Sequence, residues 1–211
     1  GADGAVVAVN KLTGKKIWQS KEFNDQADYS SVIVAEHDGV RQYIQLTQKT
    51  LVGIAADDGR VLWSYPWPGR IAVVPTPIFR DGKVYVACGY GVGCGLVNLV
   101  DGTAEEVYEN KVMKNHHGGV ILVGDHLYGY SDGLGWVCQE FETGEQVWAE
   151  KKALGKGAIA CADGMLYCLD EGSGEVFLIE ASPKGLNEKG RFKLEPQSDY
   201  RIPRGKIWTH P

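Results

Sequence analysis

A short hairpin unit returns along this 211-residue chain at a near-constant interval, and that interval limits the fold more than any other feature. The first copy, residues 8–18 (AVNKLTGKKIW), reads as strand, tight turn, strand. β-Branched Val7 and Val9 alternate with Ala8 and Asn10, Thr13-Gly14 stands where the chain must reverse, and Ile17-Trp18 opens a second strand. Asp57-Asp58-Gly59 is followed by Val61, Leu62 and Trp63, Asp101-Gly102 by Val107 and Tyr108, and Thr143-Gly144 by Val147 and Trp148. The turn glycines at 14, 59, 102 and 144 are 45, 43 and 42 residues apart. Self-similarity at that interval marks a repeat architecture, and four short strands joined by hairpins fill one period.

A second marker runs in phase with the first. Asp38-Gly39, Asp81-Gly82, Gly124-Asp125 and Asp163-Gly164 each precede a tyrosine, at 43, 85, 128 and 167. No helical periodicity extends beyond a turn or two. The expectation is an all-β chain, a β-propeller of four-stranded antiparallel blades. A half blade covers residues 1–19, with strands at 5–10 and 16–19. Full blades follow at about 29–64, 71–109, 116–150 and 156–194, and residues 206–211 begin another. Within them, strands are expected at 31–35, 41–46, 51–55 and 60–64, then at 71–79, 84–87, 96–100 and 106–108. The third blade places them at 119–123, 127–130, 136–141 and 146–149, and the fourth at 158–161, 165–169, 176–180 and 191–194. The strand at 71–79 contains Pro75 and Pro77, which lack the N–H and which a central ladder would not tolerate at hydrogen-bonded positions.

Composition narrows the function classes. The 28 glycines are about twice the usual share of roughly 7%, as a turn-rich chain requires. A net charge of −5 argues against the basic footprint of a nucleic-acid binder. No apolar run approaches the roughly 20 residues of a membrane-spanning helix. Five cysteines, Cys88, Cys94, Cys138, Cys161 and Cys168, are scattered without zinc spacing and read as small buried hydrophobes. Cys161 and Cys168 are candidates to face each other across a hairpin.

The repeat lacks the Gly-His and Trp-Asp signatures of WD40 blades. Ala8, Asn10, Thr13, Gly14, Lys15 and Trp18 instead resemble the tryptophan-docking motif of the pyrroloquinoline-quinone (PQQ)-type propeller family, with Asn in place of Asp. The copy ending in Trp148 keeps Thr143, Gly144 and Trp148, the copy ending in Trp63 keeps Gly59 and Trp63, and the third is shifted by two residues and ends in Tyr108. That family includes quinoprotein alcohol dehydrogenases, a propeller lipoprotein of bacterial outer-membrane assembly, and exported propellers of unassigned role. The resemblance implies a ring of eight blades, of which about four and a half are present, so the chain reads as a fragment. It also implies export to the periplasm or cell envelope, and a structural docking role for Trp18, Trp63, Tyr108 and Trp148.

Function on a repeat scaffold concentrates in the loops of one face. Links between repeats and the turns joining second to third strands share a face, which carries Tyr29, Trp67, Arg70, Tyr90, His116, His117, Lys156, Arg201 and Arg204. Of these, His116, His117, Trp67, Arg70, Tyr90 and Arg204 form the candidate ligand face. His116-His117 either enters the innermost strand as polar residues, faces the channel to bond a ligand, or serves a metal or proton transfer. In a strand the two side chains would point to opposite sides, and no acidic partner stands at motif spacing. Tyr65-Pro66-Trp67-Pro68 stiffens a loop whose indole either stands outward or covers the blade top. The glycines of 89–95 are followed by a strand, which excludes a dinucleotide loop. Asp57-Asp58 and Asp170-Glu171 lack the alternating ligands of a calcium loop and read as turn residues.

The quinone enzymes of the resembled family hold their cofactor on a tryptophan beside a disulfide of adjacent cysteines, with calcium on Glu, Asn and Asp. No adjacent cysteines occur here, so no catalytic, cofactor or metal residue carries over. The reading is therefore a non-catalytic binding or scaffold module for a protein, peptide or glycan, with no nucleic acid and no cofactor. The alternative is part of a PQQ-dependent alcohol or sugar dehydrogenase using PQQ and calcium.

Overall fold

The computed structural model describes residues 3–200, 202 and 204–211, and among these every regular element is a β-strand. In chain order they are β1 (Val7–Val9), β2 (Lys16–Gln19), β3 (Ile33–His37), β4 (Val40–Leu46), β5 (Thr50–Ala55), β6 (Val61–Pro66), β7 (Ile78–Arg80), β8 (Lys83–Cys88) and β9 (Gly93–Val100). There follow β10 (Thr103–Asn110), β11 (Val120–Val123), β12 (His126–Ser131), β13 (Gly135–Glu140), β14 (Gln146–Glu150), β15 (Gly157–Ala162), β16 (Met165–Asp170), β17 (Glu175–Glu180) and β18 (Glu188–Lys193). They form one two-stranded sheet, β1-β2, and four four-stranded sheets: β3 to β6, β7 to β10, β11 to β14 and β15 to β18, each ordered as in the sequence. The all-β architecture and the four-strand period agree with the sequence pattern.

The two turn chemistries explain the register. Asp38-Gly39, Asp81-Gly82, Asp101-Gly102 and Asp163-Gly164 hold φ of 49–51° at Asp and 72–77° at Gly, the paired positive values of a type I′ hairpin. Gly124-Asp125 reverses the residue order and has a positive φ at the glycine, 56°, as a II′ turn requires at its first position.

The third-to-fourth strand turns use a longer device. Gly14, Gly59 and Gly144 donate their N–H to Asn10, Ala55 and Glu140 carbonyls at 2.8, 3.1 and 3.1 Å. The residue before each glycine accepts the N–H of the residue after it: Lys15 onto Thr13 Oγ1, Arg60 onto Asp58 Oδ1, Glu145 onto Thr143 Oγ1. A bulge follows in each hairpin, at Ala8/Val9, Gly53/Ile54 and Cys138/Gln139. The hairpin of β9 and β10 closes instead with the two-residue Asp101-Gly102 turn. Its glycine therefore takes a different place in the loop, which accounts for the two-residue shift of the copy ending in Tyr108.

Three expectations are corrected. Residues 71–79 do not form one strand: β7 is Ile78–Arg80, because Pro75 and Pro77 break the ladder and Ile71 turns into the left-handed region. Cys161 is exposed rather than buried, and it sits opposite Leu166 while Cys168 sits opposite Ile159; all five thiols are free. Residues 206–211 contain no strand.

The chain divides into two compact units, Gly1–Cys88 with Gly95–Glu109, and Gly89–Cys94 with Asn110–Pro211. In the first, Phe23, Val52 and Ile54 form a buried cluster that Ala5, Val6, Trp18 and Val61 flank. In the second, Tyr128, Trp136 and Cys138 pack against Ile159, Leu166, Cys168, Phe177 and Ile179, with Trp148 at the margin.

The repeat aromatics differ in their partners. Trp18 Nε1 donates to Ala56 O at 3.1 Å and Trp148 Nε1 to Ser182 O at 3.0 Å, each reaching the far turn of the following sheet. Trp63 is buried and donates to Gln42 Oε1, 2.6 Å, within its own sheet. Gly53 leaves room for that ring, since a Cβ there would lie 2.2 Å from Trp63 Nε1.

Candidate functional site

The second unit gathers Tyr90, His116 and His117 with charged groups that lie far from them in the sequence. The segment before β11 is irregular rather than extended, because buried Asn115 folds it back on itself. Asn115 Nδ2 donates to Gly119 O (2.9 Å) and Tyr130 O (3.0 Å), and Asn115 Oδ1 accepts Gly119 N (3.0 Å). The strict alternation of a strand does not apply there, and the two imidazoles lie side by side, centroids 5.3 Å apart. The expectation that His116 and His117 enter the innermost strand is thereby corrected.

Backbone bonds bring two carboxylates to these rings. Asp132 N donates to Lys114 O at 3.0 Å and Glu171 N to Lys156 O at 2.9 Å, tying each second-to-third strand turn to the link before its own sheet. His117 Nε2 then donates to Glu171 Oε2 at 2.8 Å, with both side chains only 13% exposed. Glu171 is more than a turn residue. Asp170 does serve the turn, its Oδ1 accepting Gly172 N and Ser173 N. Lys156 Nζ donates to Asp132 Oδ1 at 2.7 Å and lies 2.9 Å from His116 Nδ1.

An ammonium has only donors, so His116 Nδ1 is the acceptor and the ring proton sits on Nε2. Burial, and then the Lys156 charge, hold the His116 pKa below its ordinary 6.5. His117 uses Nε2 toward Glu171, and its Nδ1 is buried without a partner. Tyr90, at φ 55°, sets its ring edge-on to His116 with centroids 4.4 Å apart, and exposed Trp208 lies 5.9 Å from His117. Ile207 N donates to Glu171 O, which seats that last segment on the same turn.

The other expected residues are elsewhere. Trp67 and Arg70 belong to the first unit. Trp67 is 4% exposed, because its backbone N–H is anchored to Lys49 O at 2.7 Å and its ring rests on Gly95, so it offers no outward indole. Arg70 and Arg204 are exposed, and Arg201 lies outside the described residues. Asp132, Lys156 and Glu171 complete the cluster in the second unit. The phase signal for the two acids was present: each stands four residues after a repeat tyrosine, Tyr128 or Tyr167.

The site has no free basic nitrogen to offer a substrate. Lys156 occupies one imidazole and Glu171 the other, and the remaining His117 nitrogen is shut away from solvent. Among the described residues, no group of three or more His, Cys, Asp and Glu side chains is set to hold a metal ion.

Comparison with known proteins places the chain. The family model described as "Outer membrane protein assembly factor BamB" matches residues 1–182. The chain belongs to the BamB family of PQQ-like β-propellers. Among solved structures, BamB from Moraxella catarrhalis superposes with a TM-score of 0.68 at 15% identity, over 91% of this chain and 59% of that one. The designed protein Ika8 gives 0.62 at 13% identity over 90% of this chain and 56% of its own, and the designed Ika4 gives 0.55 at 13% over 75% and 93%. These likenesses establish the propeller fold, and the chain spans about 59% of the length of the BamB chain. No curated protein matches by sequence. The five cysteines are free, none are adjacent in the sequence, and four are buried.

Proposed function

We infer that this BamB-family propeller is a non-catalytic binding or scaffold module of the cell envelope, which offers the loops around Tyr90, His116, His117 and Trp208 to a protein partner. One observation carries the reading: Lys156 and Glu171 each engage one imidazole, and the remaining His117 nitrogen is closed to solvent. A general base must keep an accessible acceptor within reach of its substrate, and neither imidazole does. What remains for a ligand is ring surface and the His116 Nε2 donor, which suits recognition rather than turnover. The family description, an assembly factor for outer membrane proteins, supports a polypeptide partner over a small molecule.

Titration of the chain with an unfolded outer-membrane β-barrel precursor, followed by fluorescence anisotropy, tests this. Saturable binding that Tyr90→Ala and Trp208→Ala weaken at least about tenfold is expected, since interface aromatics carry most of such energy. Tight binding of PQQ with calcium, or alcohol-dependent dye reduction, would establish the dehydrogenase alternative instead.

A further inference from the structure

The first unit holds a cleft of about 410 Å³ that the histidine cluster does not use. Asp25, Asp28, Tyr29, Gln48, Lys49 and Ile71 frame it. Two large side chains stand in water there, Tyr29 at 72% and Ile71 at 71% exposure. Ile71 has φ 58°, a region that disfavours a β-branched residue. The Gln48 side chain, whose Nε2 donates to Ile71 O at 3.0 Å, fixes it in that state. Folding recovers neither the backbone strain nor the exposed aliphatic surface at this residue; a ligand lying over it would cover the surface.

Asp28 supplies the polar half. Its Oδ1 accepts Tyr29 N at 3.2 Å and Val73 N at 3.1 Å, which sets the carboxylate in place. Its Oδ2 takes no hydrogen bond from a described residue. Asp25 also borders the cleft and receives the Thr47 hydroxyl at 2.7 Å. The framing residues thus carry two carboxylates against the single ammonium of Lys49.

We propose that this cleft binds an arginine side chain of an extended polypeptide. The three-carbon stem covers Ile71, the guanidinium plane lies on the Tyr29 ring, and one edge of its fork meets Asp28 Oδ2. This site goes beyond the reading above and lies in the other unit, so either can fail alone.

The test titrates the whole chain with capped Ala-Arg-Ala and reads amide shifts by NMR, against matched peptides carrying citrulline or glutamate. Saturable shifts centred on Tyr29 and Ile71 are expected, with affinity reduced about tenfold or more for citrulline, which keeps the shape and loses the charge. Asp28→Asn retains the Oδ1 acceptor, so it should keep the melting temperature and weaken Ala-Arg-Ala about fivefold or more. Ile71→Asn should raise the melting temperature by about 2–4 °C, because asparagine tolerates the left-handed region, and also weaken binding. Equal affinity for citrulline, preference for glutamate, shifts mapping elsewhere, no saturable shift, or full affinity in Asp28→Asn would each overturn the proposal. The Tyr90 and Trp208 variants should bind Ala-Arg-Ala normally, which separates this site from the first.

Discussion

Replacing Trp148 tests whether the repeat indoles hold successive sheets together. Truncating a fully buried tryptophan to alanine costs about 3–5 kcal/mol. Trp148 is half-buried, against Tyr128 at 6.1 Å and the margin of the cluster shared by its sheet and the next. About half the packing contribution, together with the bond from Nε1 to Ser182 O at 3.0 Å, gives roughly 2–3 kcal/mol for Trp148→Ala. Trp148→Phe keeps most apolar contact and loses the donor, for about 1 kcal/mol. At roughly 2–4 °C per kcal/mol for a chain of this size, the alanine variant should melt about 5–10 °C lower and the phenylalanine variant about 2–4 °C lower. His117→Ala is the control, and the structure makes it less innocent than its sequence suggests, since it removes a hydrogen-bond donor from the Glu171 carboxylate at 13% exposure. Removing one partner of a fully buried pair costs about 3–5 kcal/mol; with solvent still reaching this one, about 1–2 kcal/mol is expected. The double variant His117→Ala/Glu171→Gln should regain part of that loss. Differential scanning calorimetry gives the order. If Trp148→Ala melts with the wild type, or above His117→Ala, the indole does not join the sheets and the reasoning fails.

Two further outcomes follow from the titrating groups. His116 has a folded pKa below the 6.5 of the unfolded chain, so as pH falls the unfolded chain takes up that proton first; this contribution to stability is intact above pH 6.5 and declines below it. His116→Asn should flatten the stability–pH curve between pH 7 and 5, Lys156→Gln should raise the imidazole pKa seen by NMR, and an unchanged slope in His116→Asn would refute the assignment. Of the five thiols only Cys161 is exposed, and burial, then Asp163, raise its pKa, while burial pushes Cys138 up to about 11. Folded protein should therefore react with Ellman's reagent at one slow thiol that Cys161→Ser abolishes, and rapid labelling of several thiols would contradict the buried positions.

The parts of the fold that repeat were legible because each copy testifies for the others. Thr13 and Thr143 share one turn-closing role that Asp58 fills with a different side chain, so the hairpin survives the loss of its consensus residue. Ile71 was misread for the opposite reason: its apolar neighbours looked like a strand, while the left-handed backbone there has no counterpart in the other copies. The candidate site was half visible. His116 and His117 could be named, but strand alternation hid their shared side, and Glu171 lies 54 residues from His117. The four repeat tyrosines show why. Four residues after Tyr43, Tyr85, Tyr128 and Tyr167 come Thr47, Gly89, Asp132 and Glu171, all at the second-to-third strand turn. The propeller asks only that the chain reverse there, and all four residues permit it. Thr47 meets Asp25, Asp132 meets Lys156 and Glu171 meets His117. A position that the repeat fixes in space and leaves free in chemistry is where one blade can differ from the next, so partners are to be sought in the departures from the repeat rather than in its consensus.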